Sequence, residues 1–116
     1  MGEYRKFVHY IDENGNAPVE EFILGLQKNE QAKIVIMTNK LENELSNIIQ
    51  TPYYKRFRGM GYDIGELRIG DFRIFVSEVE PTIYLMLHIF RKNTNKTPEN
   101  ELKLAKKRLE KYYSSL

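Results

Sequence analysis

The chain has 116 residues, a formal net charge of +2 and no cysteine. That length suits one domain, residues 1–116, with a core large enough to fold unstapled, and the composition excludes a disulfide framework or a thiolate metal site. No apolar run approaches the roughly 18 residues of a membrane span, and the opening MGEYRKFVHYI lacks the apolar stretch of a secretory leader, so the expectation is a soluble cytoplasmic protein with no membrane contact.

The first predicted element is a strand over 3–11, where Tyr4, Phe7, Val8 and Tyr10 sit in a short apolar-rich run. Asp12-Glu13-Asn14-Gly15-Asn16 ends it as a turn. Pro18 opens a helix at a position where a missing N–H costs nothing, and Glu20 and Glu21 suit its positive end. Val19, Phe22, Ile23 and Leu26 form its apolar stripe. A longer helix follows from Asn29 to Gln50, with Ile34, Met37, Leu41, Leu45 and Ile48 spaced 3, 4, 4 and 3 apart. Thr51-Pro52 ends it, because a residue before proline avoids helical angles. The two helices read as a hairpin laid on a sheet.

Tyr53 to Gly61 (YYKRFRGMG) reads as a connector rich in cations and rings. Lys55, Arg56 and Arg58 make it either a nucleic-acid contact loop or a solvated loop with an aromatic anchor. Three strands of an antiparallel meander come next. Leu67 and Ile69 alternate with Glu66 and Arg68; Phe72, Ile74 and Val76 alternate with Arg73, Phe75 and Ser77. Strict alternation in the last strand puts Ile83, Leu85, Leu87 and Ile89 on one face and Tyr84, Met86, His88 and Phe90 on the other. Gly70-Asp71 and Glu80-Pro81 mark the turns. A final helix begins with Thr97 as N-cap and Pro98 at its first position, and buries Leu102, Ala105, Leu109 and Tyr112.

One face of this sheet is aliphatic; the other mixes arginine, tyrosine, histidine and phenylalanine. Such a mixture suits single-stranded nucleic acid, because cations meet phosphates while rings such as Tyr84 and Phe90 stack on bases. The alternative is that the rings pack beneath another element. Charge leans the same way: residues 1–51 hold 5 Lys/Arg against 8 Asp/Glu, whereas 52–116 hold 13 against 8. A basic half suggests an anionic partner.

The sequence ELRIGDFRIF, followed by LMLHIFRKNTNKTP, in the order strand, two helices, strands and final helix, resembles the RelE/ParE toxin superfamily and most of all its HigB-like, phage-derived branch. The matching motifs are Glu66-Leu67-Arg68, Phe72-Arg73-Ile74-Phe75, Phe90-Arg91-Lys92 and Lys96-Thr97-Pro98. The resemblance implies an α+β, RelE-like fold: an N-terminal strand, a two-helix hairpin, a three-stranded antiparallel meander completing one sheet, and a C-terminal helix. It implies the toxin of a type II toxin–antitoxin system, a ribosome-dependent endoribonuclease that cuts mRNA by attack of the message's own 2′-OH, with no cofactor or metal. The partners implied are the ribosome, mRNA and a cognate antitoxin, a HigA-like helix-turn-helix protein through which the pair meets operator DNA. The same fold also hosts ParE-like gyrase poisons, and a non-catalytic RNA- or protein-binding module is a third reading.

Cleavage asks for a group that takes the 2′-OH proton, a group that stabilises the phosphorane-like transition state, and a group that protonates the leaving 5′-oxygen. By resemblance, Arg73 is the strand arginine that stabilises the phosphate. Arg91 or Lys92 fills a second cationic position, and Arg68 and Lys96 complete a positive pocket. His88, as a side-chain type able to exchange protons near neutral pH, is a candidate proton carrier or a structural residue. Tyr112 or Tyr113 would supply a phenol. RelE places a lysine where this chain has Glu66, and RelE's tyrosine after the last strand has no clear counterpart near Thr97, so the general base is left open.

Overall fold

The computed structural model describes residues 4–43, 51–57, 61–93 and 98–116. Its elements are β1 (Lys6–His9), α1 (Pro18–Leu24), α2 (Lys28–Asn43), β2 (Tyr54–Phe57), β3 (Ile64–Ile69), β4 (Phe72–Glu80), β5 (Ile83–Arg91) and α3 (Glu99–Ser114). The strands form one sheet in the order β1-β5-β4-β3-β2. Among the described strands only the β1–β5 pair is parallel, which the helical crossover through α1 and α2 makes possible.

The expected meander is present. Ile69 pairs with Phe72 across Gly70-Asp71, and Gly70 has a φ of +60°, the left-handed conformation this two-residue turn needs. Three boundaries differ from expectation. The first strand is shorter than 3–11, because its pairing with β5 runs only from Lys6 to His9. The predicted connector contains β2, which adds a fifth strand. Its residues carry the β-prone rings Tyr54 and Phe57, yet the charges between them hid the alternation. Pro98 occupies the N-cap position of α3, so the helix starts at Glu99, one residue later than expected, and Thr97 lies outside the described residues. So do Leu45 and Ile48 of the second helix's predicted stripe.

Both faces of the sheet are core. Val19 of α1 and Ile34 and Leu41 of α2 pack on Phe7, Leu67, Ile69, Phe72, Ile74, Val76, Tyr84, Met86 and Ile89. Leu102, Ala105 and Leu109 of α3 pack on Tyr10, Ile64, Phe75, Leu85 and Leu87. The faces of β3 and β4 are as their alternation predicts. In β5 they are not. Phe75 pairs with His88 but Val76 pairs with Met86, so Leu87 is an extra, bulged residue. The bulge reverses the parity of everything before it. Tyr84 and Met86 therefore face α1 and α2, while Leu85 and Leu87 face α3. The expectation that Tyr84 shares a face with His88 is corrected on that ground.

Candidate nucleic-acid interface

Register brings the sequence's candidate residues into two rows on the α3 side of the sheet. One row runs Lys55, Glu66, Phe75, His88 across β2, β3, β4 and β5; the next runs Arg68, Arg73, Phe90. The helix covers the β5 end of these rows, where Phe75 and Phe90 meet at 5.3 Å between ring centroids. The arginine end stays open: the Arg68 side chain is 40% exposed and that of Arg73 17%.

Glu66 lies beneath the two arginines and is 1% exposed. Its Oε1 accepts from Nε of Arg68 at 3.2 Å and lies 3.9 Å from Nε of Arg73. Arg73 is anchored on its other side by Nη1, which donates to the carbonyls of Gly70 at 2.7 Å and Phe72 at 2.9 Å. Arg68 is thus held through Nε, and Arg73 through Nη1 with Nε facing Glu66, leaving Nη2 of Arg73 and both Nη atoms of Arg68 without a partner among the described residues. Lys92 adds a third cation; its N–H donates to Asp71 O at 2.8 Å, and continued alternation turns its side chain to the Phe90 face. Lys55 sits over the Phe57 ring, 5.2 Å from its centroid, on the same face.

Other candidates are placed differently. Arg91 pairs in register with Phe72 and lies over that ring at 4.5 Å, on the α1–α2 side of the sheet. Its guanidinium bonds Glu30 of α2 and, at 3.2 Å, Asp71, and these carboxylates raise its pKa. It thus lies on the opposite face of the sheet from Arg73. Tyr84 is 9% exposed, 5.6 Å from the Phe7 ring, and burial pushes its phenol above the ordinary value, so it offers no face to a base. Arg56 is bound in two-point fashion to Asp63 at 2.6 and 2.7 Å. Arg58 and Lys96 lie outside the described residues.

His88 is the clearest change of role. Its Nε2 bonds Glu101 and its Nδ1 lies 3.3 Å from Nη1 of Arg108, both on α3, while its ring stacks on Phe90. A guanidinium can only donate, so Nδ1 accepts and Nε2 carries the proton given to Glu101. Both nitrogens are engaged, and neither is open to a substrate hydroxyl. Arg108 also donates to Leu87 O at 2.8 Å; burial lowers its pKa, against opposing contributions from Tyr10, Asp12 and Glu101. Glu101 and Arg108, seven residues apart on one helix face, were not singled out in the sequence, because nothing local shows that they close on His88. Tyr112 packs into the α3-side core, and Tyr113 stacks on Tyr62 at 5.8 Å, at the end of β3 remote from Arg68. Among the described residues, no three His, Asp or Glu side chains converge as metal ligands would, and no helix is long and apolar enough to cross a membrane.

The profile of the family described as "Phage derived protein Gp49-like (DUF891)" matches residues 21–110. The chain belongs to this family. The match takes in both rows of the interface, Glu101 and Arg108, and leaves β1 outside. The Gp49-like family is of RelE/HigB type, which agrees with the resemblance carried by the motifs of β3 to β5. A search of curated proteins finds no match. Among solved structures, a chain of the archaeal RelE–RelB complex from Pyrococcus horikoshii OT3 superposes with a TM-score of 0.51 at 21% identity, covering 76% of this chain and 93% of that one. That likeness is one of fold, and the fold is RelE-like.

Proposed function

We propose that this Gp49-like protein is the toxin of a type II toxin–antitoxin pair and acts in the cytoplasm as a ribosome-dependent mRNA endoribonuclease. The observation that carries the reading is the Arg68–Arg73 pair. Two guanidiniums on one face of the sheet, one held through Nε and the other through Nη1, keep three Nη groups between them unpartnered among the described residues, with Lys92 following directly on β5. Fixed donors in a partly dry site suit the extra negative charge of a pentacoordinate phosphate, because they need not reorganise as that charge develops. The 2′-oxygen forms a bond to phosphorus, the bond from phosphorus to the 5′-oxygen breaks, and a 2′,3′-cyclic phosphate and a free 5′-hydroxyl result. The 2′-OH gives up its proton and the 5′-oxygen gains one. His88, closed by α3, is set aside as the carrier. The chain's own contribution is then placement of the phosphate and stabilisation of its charge, with the ribosome holding the message in line. Phe90, beside Arg73 in register, packs on Phe75 and His88 and is half-buried.

The partner in this reading is a cognate antitoxin of the HigA-like, helix-turn-helix kind. RelE was solved with RelB, and the family placement makes an analogous pairing the natural expectation.

The test is a reconstituted translation system with message ends mapped by primer extension. New ends within A-site codons are expected, absent without ribosomes and reduced at least about 100-fold by Arg73→Ala, the usual scale for one oxyanion-stabilising donor. Intact message with wild-type protein would overturn the reading.

A further inference from the structure

Glu66 has no part in the chemistry above, yet it is the most deeply buried charged side chain described, at 1% exposure. An ionised carboxylate is taken out of water only when close charges and hydrogen bonds compensate. Two cations face it: Arg68 at 3.2 Å and Arg73 at 3.9 Å. Nε of Arg73 is itself buried and makes no hydrogen bond, so it faces the Glu66 carboxylate through charge alone.

We propose that Glu66 is a positioning residue, an internal clamp that holds Nε of Arg68 and of Arg73 so that both Nη groups of Arg68 and Nη2 of Arg73 are left to an RNA phosphate. The inference rests on the reading of the two arginines as the RNA site. It explains why a carboxylate stands in the middle of an anion-binding surface, where it would otherwise repel the ligand. Buried below the guanidiniums, it orders them, and the arginines screen it from the phosphate. It also explains why the residue does not act as a base. A proton acceptor must come within hydrogen-bond reach of the hydroxyl, about 2.6–3.2 Å, whereas the Glu66 side chain is 1% exposed and its Oε1 faces the arginines.

Two substitutions separate the possibilities. Glu66→Gln keeps an acceptor of the same shape for Nε of Arg68, and Glu66→Ala keeps none. In ribosome-dependent cleavage, Glu66→Ala is expected to lower kcat about 100-fold with KM changed less than about threefold, as for a misplaced catalytic group, while Glu66→Gln recovers to within about tenfold of wild type. In nitrogen-15 spectra of the free protein, the Nε–H signals of Arg68 and Arg73 should be sharp in wild type and Glu66→Gln, and broadened in Glu66→Ala. Glu66→Gln as inactive as Glu66→Ala, with the acid limb of the pH–rate profile gone, would make Glu66 a base and overturn the clamp. So would a Glu66→Ala protein that melts earlier but keeps its kcat. The spectra need no substrate and judge the clamp separately. If wild type leaves message intact while the Nε signals behave as expected, the ribonuclease reading fails and the clamp stands. If message is cut and the Ala spectrum matches wild type, the clamp alone fails.

Discussion

His9 shows what a single buried ring does to stability. It lies on β1 against a cavity of about 220 Å³, lined also by Glu20, Gln31, Ile34, Thr38 and Met86. Its Nδ1 is buried and has no hydrogen-bond partner among the described residues. Burial lowers its pKa below 6.5, and the carboxylate of Glu20 opposes the shift without cancelling it. The folded chain therefore takes up this proton at lower pH than the unfolded chain does. The unfolded state binds more protons in the interval, so stability falls as pH drops through it. The contribution of His9 is complete above pH 6.5 and is lost on acidification from there down to the lowered folded value. Urea midpoints measured from pH 7.5 to 5 should fall more steeply for wild type than for His9→Gln. Parallel curves would show that His9 titrates alike in both states.

Among elements, β2 depends on a close approach that a single methyl group would block. The Tyr54 ring lies directly over Gly65, its register neighbour on β3 being Leu67, and joins the α1–α2 core. Burial pushes its phenol well above the ordinary value. A Cβ on Gly65 would fall 1.9 Å from Tyr54 Oη and 2.0 Å from Cζ, which neither group can accommodate in place. Gly65→Ala should therefore cost about 1–3 kcal/mol, the range for overpacking a well-filled site. In combination with Tyr54→Ala, the cost of the second change should largely disappear, since contacting residues are not additive. Urea denaturation of the four proteins of that cycle reads the coupling directly; strict additivity would mean that β2 does not dock this way. The bulge at Leu87 is the other decisive local feature. One extra residue turns Leu85 and Leu87 to α3 and leaves His88 and Phe90 on that same side, so the helix gains both an aliphatic seat and a polar latch.

At the scale of the molecule, the sheet is a wall with helices on both sides, and the cations divide between its faces. Arg68, Arg73, Lys92 and Lys55 stand on the α3 face; Arg91 stands on the other, joined to Glu30 and Asp71. That division predicts how RNA binding responds to salt. For single strands, log K falls with log[salt] by about 0.7 for each phosphate neutralised. Arg73→Ala and Lys92→Ala should each flatten the slope by about that amount, and Arg91→Ala should leave it unchanged, in anisotropy titrations with a short single-stranded RNA. An Arg91→Ala slope as flat as that of Arg73→Ala would place the RNA on both faces and refute a one-sided interface.

Much of this was legible in the chain itself. Period-two alternation marked β3 and β4 and assigned the faces of Glu66 to Ile69 and Phe72 to Ser77 correctly, since these stretches run through two-sided core ahead of the extra residue at Val79. Period-3.6 stripes marked the three helices, because each buries one side against the sheet. Turn chemistry placed Gly70-Asp71, where a positive φ is required. The motifs of β3 to β5 pointed to the right superfamily. The tertiary structure alone decided what depends on register and on contacts distant in sequence. A bulge carries no signature in a run as uniformly apolar as IYLMLHIF, so the face of Tyr84 was unreadable there. Pairing made β2 a strand despite its charges. Folding also brought Glu101 and Arg108 onto His88, and Glu66 beneath Arg68 and Arg73, because neighbouring strands and a covering helix supply partners that no local spacing encodes.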